Sequence, residues 1–272
     1  MFALHHVEKP QTRGVLRQFL GREYFILKRR MQWWSKNTRF AKSITGASFQ
    51  HVVITHKTML LRPLKGVEMY LQHNKITNLR LAIAKINGTV VKPGEVFSLW
   101  KLVGRPTKAK GYLEGLVLKN GKITKGTGGG LCQLGNLLYW MVLHTELTIT
   151  ERWRHGFDVF PDANRTIPFG CGATLSYNYV DFQLLNDTGN EYEIKLWLDE
   201  THLWGQITCN NEVQVHYRIE ETDHLFTRQM WGGYTRHNKI WRHKMSNKGS
   251  QEASELIAEN HAIMMYTPFI SD

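Results

Sequence analysis

One cysteine in this chain has the sequence surroundings of a nucleophile. Cys132 follows the glycine block Gly126-Thr127-Gly128-Gly129-Gly130-Leu131 and precedes Gln133 and the apolar run Leu134 to His144. Gly128, Gly129 and Gly130 allow positive φ and put no side chain between the loop and a ligand. Leu134, Leu137, Leu138, Met141 and Val142 recur at helical spacing, which predicts a tight glycine loop opening a buried helix with Cys132 in its first turn. The unpaired N–H groups and positive dipole end of such a turn favour an anion, so the thiol pKa is expected to fall toward that of an activated nucleophile.

Two other readings stand beside this one. A cysteine next to an apolar helix is also what an inert, buried small side chain looks like. A glycine loop before a helix can cradle phosphate, but no Gly-Lys-Ser/Thr follows and the Gly-x-Gly-x-x-Gly spacing is missing, which removes the nucleotide-binding fingerprints. The three cysteines, Cys132, Cys171 and Cys209, are an odd number without Cys-x-x-Cys spacing, so neither a disulfide framework nor a zinc site is expected. No cofactor or metal is called for.

The elements that must position this cysteine follow from periodicity. Residues 13 to 45 carry nine Lys/Arg against Glu23 alone, with Leu16, Phe19, Leu20, Tyr24, Leu27 and Met31 at three- and four-residue steps, which predicts one amphipathic helix with a cationic face. Residues 63 to 88 predict a second helix stopped by Asn87-Gly88. Leu113 to Leu118 and Lys122-Ile123 predict a hairpin closed by Asn120-Gly121, which delivers the chain to the glycine loop.

After the cysteine helix the pattern alternates. Leu147 to Trp153, Ala173 to Leu185, Tyr192 to Leu198, Trp204 to Cys209 and Val213 to Ile219 predict strands of an antiparallel sheet packed on that helix. A last helix is expected from Gln251 to Met265. The fold class is therefore α+β: N-terminal helices, then a glycine-loop and cysteine helix on a mostly antiparallel sheet. The expected division is a basic helical segment at 1–60, a main domain at 61–220 and an extension at 221–272.

The chain of 272 residues is 42% hydrophobic, long enough for a full core, and its formal charge of +12 implies attraction to polyanions. An anionic membrane surface suits the basic helix; no nucleic-acid module accompanies it, so specific nucleic-acid binding is not expected. The residues Met1 to Pro10 lack a secretory signal and no run approaches the ~20 apolar residues of a membrane span. The expected location is cytoplasmic, peripheral at the inner membrane face. Oligomeric state is not fixed by the sequence.

In order along the chain, Pro93-Gly94-Glu95-Val96-Phe97-Ser98, Val103-Gly104, Gly111-Tyr112, the block Gly126 to Gln133, Glu151-Arg152 with His155, and Ala173-Thr174 with Tyr177 and Asp181 resemble the VanW family over about residues 60 to 200. The resemblance implies a link to glycopeptide resistance, and some proteins with this domain are understood to be cysteine transpeptidases that make 3-3 peptidoglycan cross-links. An L,D-transpeptidase attacks the carbonyl between the third residue and D-Ala of a stem peptide, holds an acyl-enzyme and passes it to an amine. Such steps require a thiolate, an imidazole and an oxyanion site.

In that chemistry Cys132 attacks and His155 accepts its proton, with Asp181, or the nearer Asp158, orienting the imidazole. The N–H groups of Cys132 and Gln133, or the Gln133 amide, are the oxyanion donors, behind the loop Gly128-Gly129-Gly130. Arg152 and Arg154 hold a stem-peptide carboxylate. The order of cysteine on a helix, histidine after a strand and a polar residue on the next strand is papain-like or transglutaminase-like by analogy. Relative to the family pattern, this chain has Cys171-Gly172 where an aspartate often stands. The expected partner is a peptidoglycan stem peptide or a lipid-linked precursor. The alternative is a non-catalytic accessory protein that binds envelope precursors, with Cys132 structural.

Overall fold

The helix that begins at Cys132, α4 (Cys132–Val142), is apolar on nearly every side, and a helix of that kind must be covered all round. Leu134, Leu137, Leu138, Met141 and Val142 are fully buried. The computed structural model describes residues 13–34, 37–43, 48–62, 67–161, 166–246 and 249–268. Among these, three other α-helices are α1 (Val15–Trp34), α2 (Met69–Ile86) and α3 (Leu99–Val103).

Four sheets surround them. One is ordered β1 (Arg39–Phe40), β5 (Glu95–Ser98), β10 (Gln183–Leu185), β8 (Thr148–Glu151). A second is ordered β2 (Lys42–Ser43), β4 (Thr89–Val91), β11 (Tyr192–Leu198), β12 (His202–Cys209), β3 (His51–Met59). A third joins the long strands β13 (His216–Arg228), β14 (Tyr234–Met245) and β15 (Gln251–Met264) to the short β9 (Phe157–Asp158). The fourth is the hairpin of β6 (Glu114–Lys119) and β7 (Lys122–Thr127). All pairings are antiparallel except β1 with β5 and β9 with β15.

Helix α4 sits between two of these sheets. On one side β12 closes onto it at Gly205, where a Cβ would lie 2.6 Å from Met141 Cε, so a larger residue there would have to displace the end of that side chain. On the other side Tyr139 meets Phe182 edge to face, with centroids 6.3 Å apart. Asn120 and Gly121 both take positive φ, 51° and 75°, as a two-residue hairpin turn requires.

The structure corrects several expected elements. The basic N-terminal helix stops at Trp34, and the chain then adds β1 and β2 to two sheets. The second helix begins at Met69; of its expected start, residues 63–66 lie outside the described residues. Only Gln183–Leu185 of the expected strand at 173–185 pairs as a ladder, because the preceding segment turns round the cysteine site.

The expected last helix is a strand. Its glutamates and alanines are good helix formers, yet β15 pairs with β14 from Gln251 opposite Met245 to Ile263 opposite Thr235. The ladder and the burial of Asn260, Ala262, Ile263 and Met264 override local propensity. No helix among the described residues is long and apolar enough to cross a membrane.

Candidate active site around Cys132

The glycine loop is held by backbone contact and by one buried asparagine. A Cβ on Gly129 would fall 2.2 Å from the Gly115 carbonyl carbon, and one on Gly115 would fall 2.4 Å from the Gly129 oxygen, so the loop and β6 touch main chain to main chain. Asn78 of α2, fully buried, donates to the Gly129 carbonyl at 2.9 Å and accepts from the Leu113 N–H at 2.8 Å. Gly128 and Gly130 take φ of 76° and 90°, which glycine alone adopts without strain.

The loop's own donors are spent on this arrangement. Gly128, Gly129 and Gly130 N–H donate to the carbonyls of Leu113, Gly126 and Leu116 at 2.9–3.0 Å. A Cβ on Gly130 would meet Lys75 Cγ at 2.3 Å, so the Lys75 side chain lies across the loop. Its Nζ donates to the Leu60 carbonyl at 2.6 Å and to Gln72 Oε1 at 2.8 Å, and burial lowers its pKa to about 8.

Cys132 is the first residue of α4 and half-buried. Its Sγ lies 4.0 Å from the Leu175 carbonyl oxygen. Burial pushes the thiol pKa up, and backbone hydrogen bonding from Leu175 and from Cys132 itself opposes that only in part. The expected fall in pKa is thus overturned: desolvation outweighs the helix terminus.

His155 lies in the loop between β8 and β9. Its Nδ1 is 3.0 Å from Thr174 Oγ1, while Nε2 has no hydrogen-bond partner among the described residues. Burial, with the nearby Arg152 charge, lowers its pKa to about 4, so the ring is neutral at physiological pH. No hydrogen bond joins Cys132 to His155 among the described residues. The two share one strip of chain: Leu175 touches the thiol, Thr174 the imidazole, and a Cβ on Gly172 would sit 3.6 Å from His155 Cδ2.

Other residues expected at the site are engaged elsewhere. Asp181, fully buried, accepts from Ser98 Oγ at 2.5 Å, from the N–H groups of Trp100 and Phe182 at 3.0 and 2.9 Å, and from Gln183 Nε2 at 3.0 Å. Burial raises its pKa to about 6 despite these bonds, and it fixes the start of α3 rather than His155. Asp158 accepts from Tyr266 at 2.8 Å and pairs with buried Arg236 at 3.3 Å. Thr174 occupies the orienting place expected for either acid.

The Gln133 amide donates to Thr58 Oγ1 and to the Met59 carbonyl, both at 2.9 Å, and its N–H donates to the Gly130 carbonyl at 3.1 Å. It ties α4 to β3 and is not free for an oxyanion. Arg152 stacks over Tyr139 at 4.4 Å and donates to the carbonyls of Gly170 and Gly172. Arg154 donates to the Glu259 carbonyl. Both arginines hold backbone, as planar forks bearing several donors readily do.

Three residues of the site were not foreseen. Asn136, one helical turn after Cys132, accepts from the Ala173 N–H at 2.8 Å, and a side chain at Gly172 would meet its Oδ1 at 2.8 Å. Its i, i+4 spacing from Cys132 was a usable signal. Thr174 had none beyond its place in the Ala173-Thr174 pair. Asn178 sits at φ 55° in the turn after Leu175, 1% exposed, with neither amide atom partnered among the described residues.

Comparison with known proteins agrees with the glycine-cysteine block. A profile described as VanW like protein matches residues 74–208. The Vancomycin B-type resistance protein VanW of Enterococcus faecalis is 36% identical over 195 residues, covering 72% of this chain and 71% of that protein. The uncharacterized protein YoaR of Bacillus subtilis is 33% identical over 112 residues, 40% of this chain and 34% of that protein. No solved structure matches.

Proposed function

This chain belongs to the VanW family, and from that premise we propose that it takes part in glycopeptide resistance as a cysteine acyltransferase acting on peptidoglycan stem peptides through Cys132. The observation that carries the reading is the strip Gly172 to Leu175, which brings the Cys132 thiol and the His155 imidazole to neighbouring residues of one segment. In the resting protein both groups are neutral.

The steps then follow. With Nδ1–H donating to Thr174 Oγ1, His155 Nε2 takes the thiol proton. The thiolate attacks the carbonyl carbon before D-Ala, and the C–N bond breaks with the proton returning to the departing D-Ala amine. An acceptor amine attacks the thioester, gives its proton to His155 and leaves a new amide with the thiol restored. The order of cysteine helix and histidine loop parallels papain-like and transglutaminase-like hydrolases by analogy alone.

Incubation with a disaccharide tetrapeptide should give a Cys132 acyl adduct by mass spectrometry that is absent from Cys132→Ala. Intact mass without adduct, together with unchanged resistance in a Cys132→Ala strain, would sink the reading. The raised thiol pKa and the structural engagement of Gln133 and Arg152 favour a second reading, a non-catalytic accessory protein that binds a lipid-linked precursor. The exposed Leu16, Phe19, Leu20 and Leu27 of α1, among its arginines, suit attachment to an anionic membrane face in either case.

A further inference from the structure

Acyl transfer at Cys132 has a requirement that the residues named so far leave unmet. Attack on a carbonyl puts negative charge on its oxygen, and that oxygen needs donors held in place beforehand. The Gln133 amide is engaged by Thr58 and Met59, and the Gln133 N–H by the Gly130 carbonyl. The N–H groups of Gly128, Gly129 and Gly130 are engaged by carbonyls as well. What the loop leaves is the Cys132 N–H, which no carbonyl takes among the described residues.

Asn136 stands four residues after Cys132 on α4, so its side chain shares a face with the thiol and leans back toward the helix start. Its Oδ1 accepts from the Ala173 N–H at 2.8 Å, and that bond decides which end of the amide is oxygen. The Nδ2 end donates to nothing among the described residues, and it is not sealed from water as the Asn178 amide is. His155 lies across Gly172 from it: a Cβ built on that glycine would stand 2.8 Å from Asn136 Oδ1 and 3.6 Å from His155 Cδ2. Here is a donor of fixed direction, open to a ligand, beside both the thiol and the imidazole.

We propose that Asn136 is a catalytic residue, its Nδ2–H and the Cys132 N–H together forming the oxyanion site. The inference rests on the reading of Cys132 as an acyl-transfer nucleophile. As the Sγ–C bond forms, the carbonyl π pair moves onto oxygen, which accepts from both donors. As that pair returns, the C–N bond breaks and D-Ala leaves with the proton carried by His155. The Ala173 bond sets the amide before any substrate arrives, and that prior setting is what makes such a donor effective.

The test compares two reagents on the full-length protein. p-Nitrophenyl acetate acetylates a thiol through a tetrahedral oxyanion, whereas iodoacetamide alkylates it by displacement at CH₂ and forms none. Both need the thiolate, so the ratio of their rate constants at Cys132, read by mass spectrometry, cancels any change in thiol pKa. Asn136→Asp keeps the acceptor for the Ala173 N–H and removes the donor; Asn136→Ala removes both. The ratio should fall roughly 100-fold in each variant. An unchanged ratio in Asn136→Asp would overturn the proposal, and so would a fall in both rates together that leaves the ratio intact, since that is the mark of a merely structural role. Should the variants fail to fold, a wild-type ratio no higher than that of N-acetylcysteine would overturn it as well. A ratio that falls as expected, with no acyl adduct from the disaccharide tetrapeptide, would remove the stem-peptide substrate and support the oxyanion site.

Discussion

His155 ties the site to pH. Its folded pKa of about 4 lies below the ordinary 6.5, so the neutral ring is the form the fold prefers. The stability this contributes is complete above pH 6.5 and is lost as pH falls toward 4, on the order of 3 kcal/mol across that window. Urea unfolding at a series of pH values should show the loss, and His155→Gln should flatten it; an unaltered slope in the variant would assign the dependence elsewhere. Cys132 gives a second measurement. Its iodoacetamide alkylation should have a midpoint above the ~8.5 of a free thiol, because burial holds the proton on sulfur. A midpoint near 7 would mean an activated thiolate and refute that account. At this scale the place of Cys132 at a helix start was legible from the glycines and the apolar spacing. Its pKa was not, since desolvation depends on what the fold packs round the thiol, Leu175 from over 40 positions away among it, and no local pattern shows that.

Among the elements, the glycine loop is the least tolerant of change. Gly115 and Gly129 face each other at a spacing that admits no methyl group on either side. Gly129→Ala should cost about 3 kcal/mol or more, while Gly189→Ala, with open space around it, should be near neutral. Thermal melts of the two single variants and of a Gly115→Ala, Gly129→Ala double variant would check this. The double should cost less than the sum, because the first methyl already forces β6 and the loop apart. The β6–β7 hairpin was legible in Asn120-Gly121, where turn chemistry is local. Strand β15 was not, because its conformation is decided by the ladder with β14. The same holds for Gly115, whose neighbours in sequence give no hint that another backbone lies against it.

For the molecule as a whole, the N-terminal helix links surface to interior. Arg29 reaches Glu151, Phe25 packs on Tyr179 with ring centroids 4.8 Å apart, and Ile26 is buried, while Leu16, Phe19, Leu20 and Leu27 remain exposed. The full chain should co-sediment with phosphatidylglycerol vesicles at low salt and release at high salt, where the Debye length shrinks to roughly 3 Å. A Phe19→Ser, Leu20→Ser double variant should lose that binding while keeping its melting temperature. Binding to purely zwitterionic vesicles of equal strength would exclude the electrostatic account. The amphipathic pattern was legible in the sequence, as was the α+β class. That one of the arginines is spent inward on Glu151 was not, since it requires knowing which strand the helix lies across.

The protonated state of Cys132 has one more consequence. Peroxide, like a substrate carbonyl, is attacked by thiolate and hardly at all by thiol. The burial that keeps the proton on Sγ therefore also shields it from conversion to sulfenic acid, and Cys171 and Cys209 are buried as well. The same few ångströms of packing should keep the protein in its reduced form through oxidative stress.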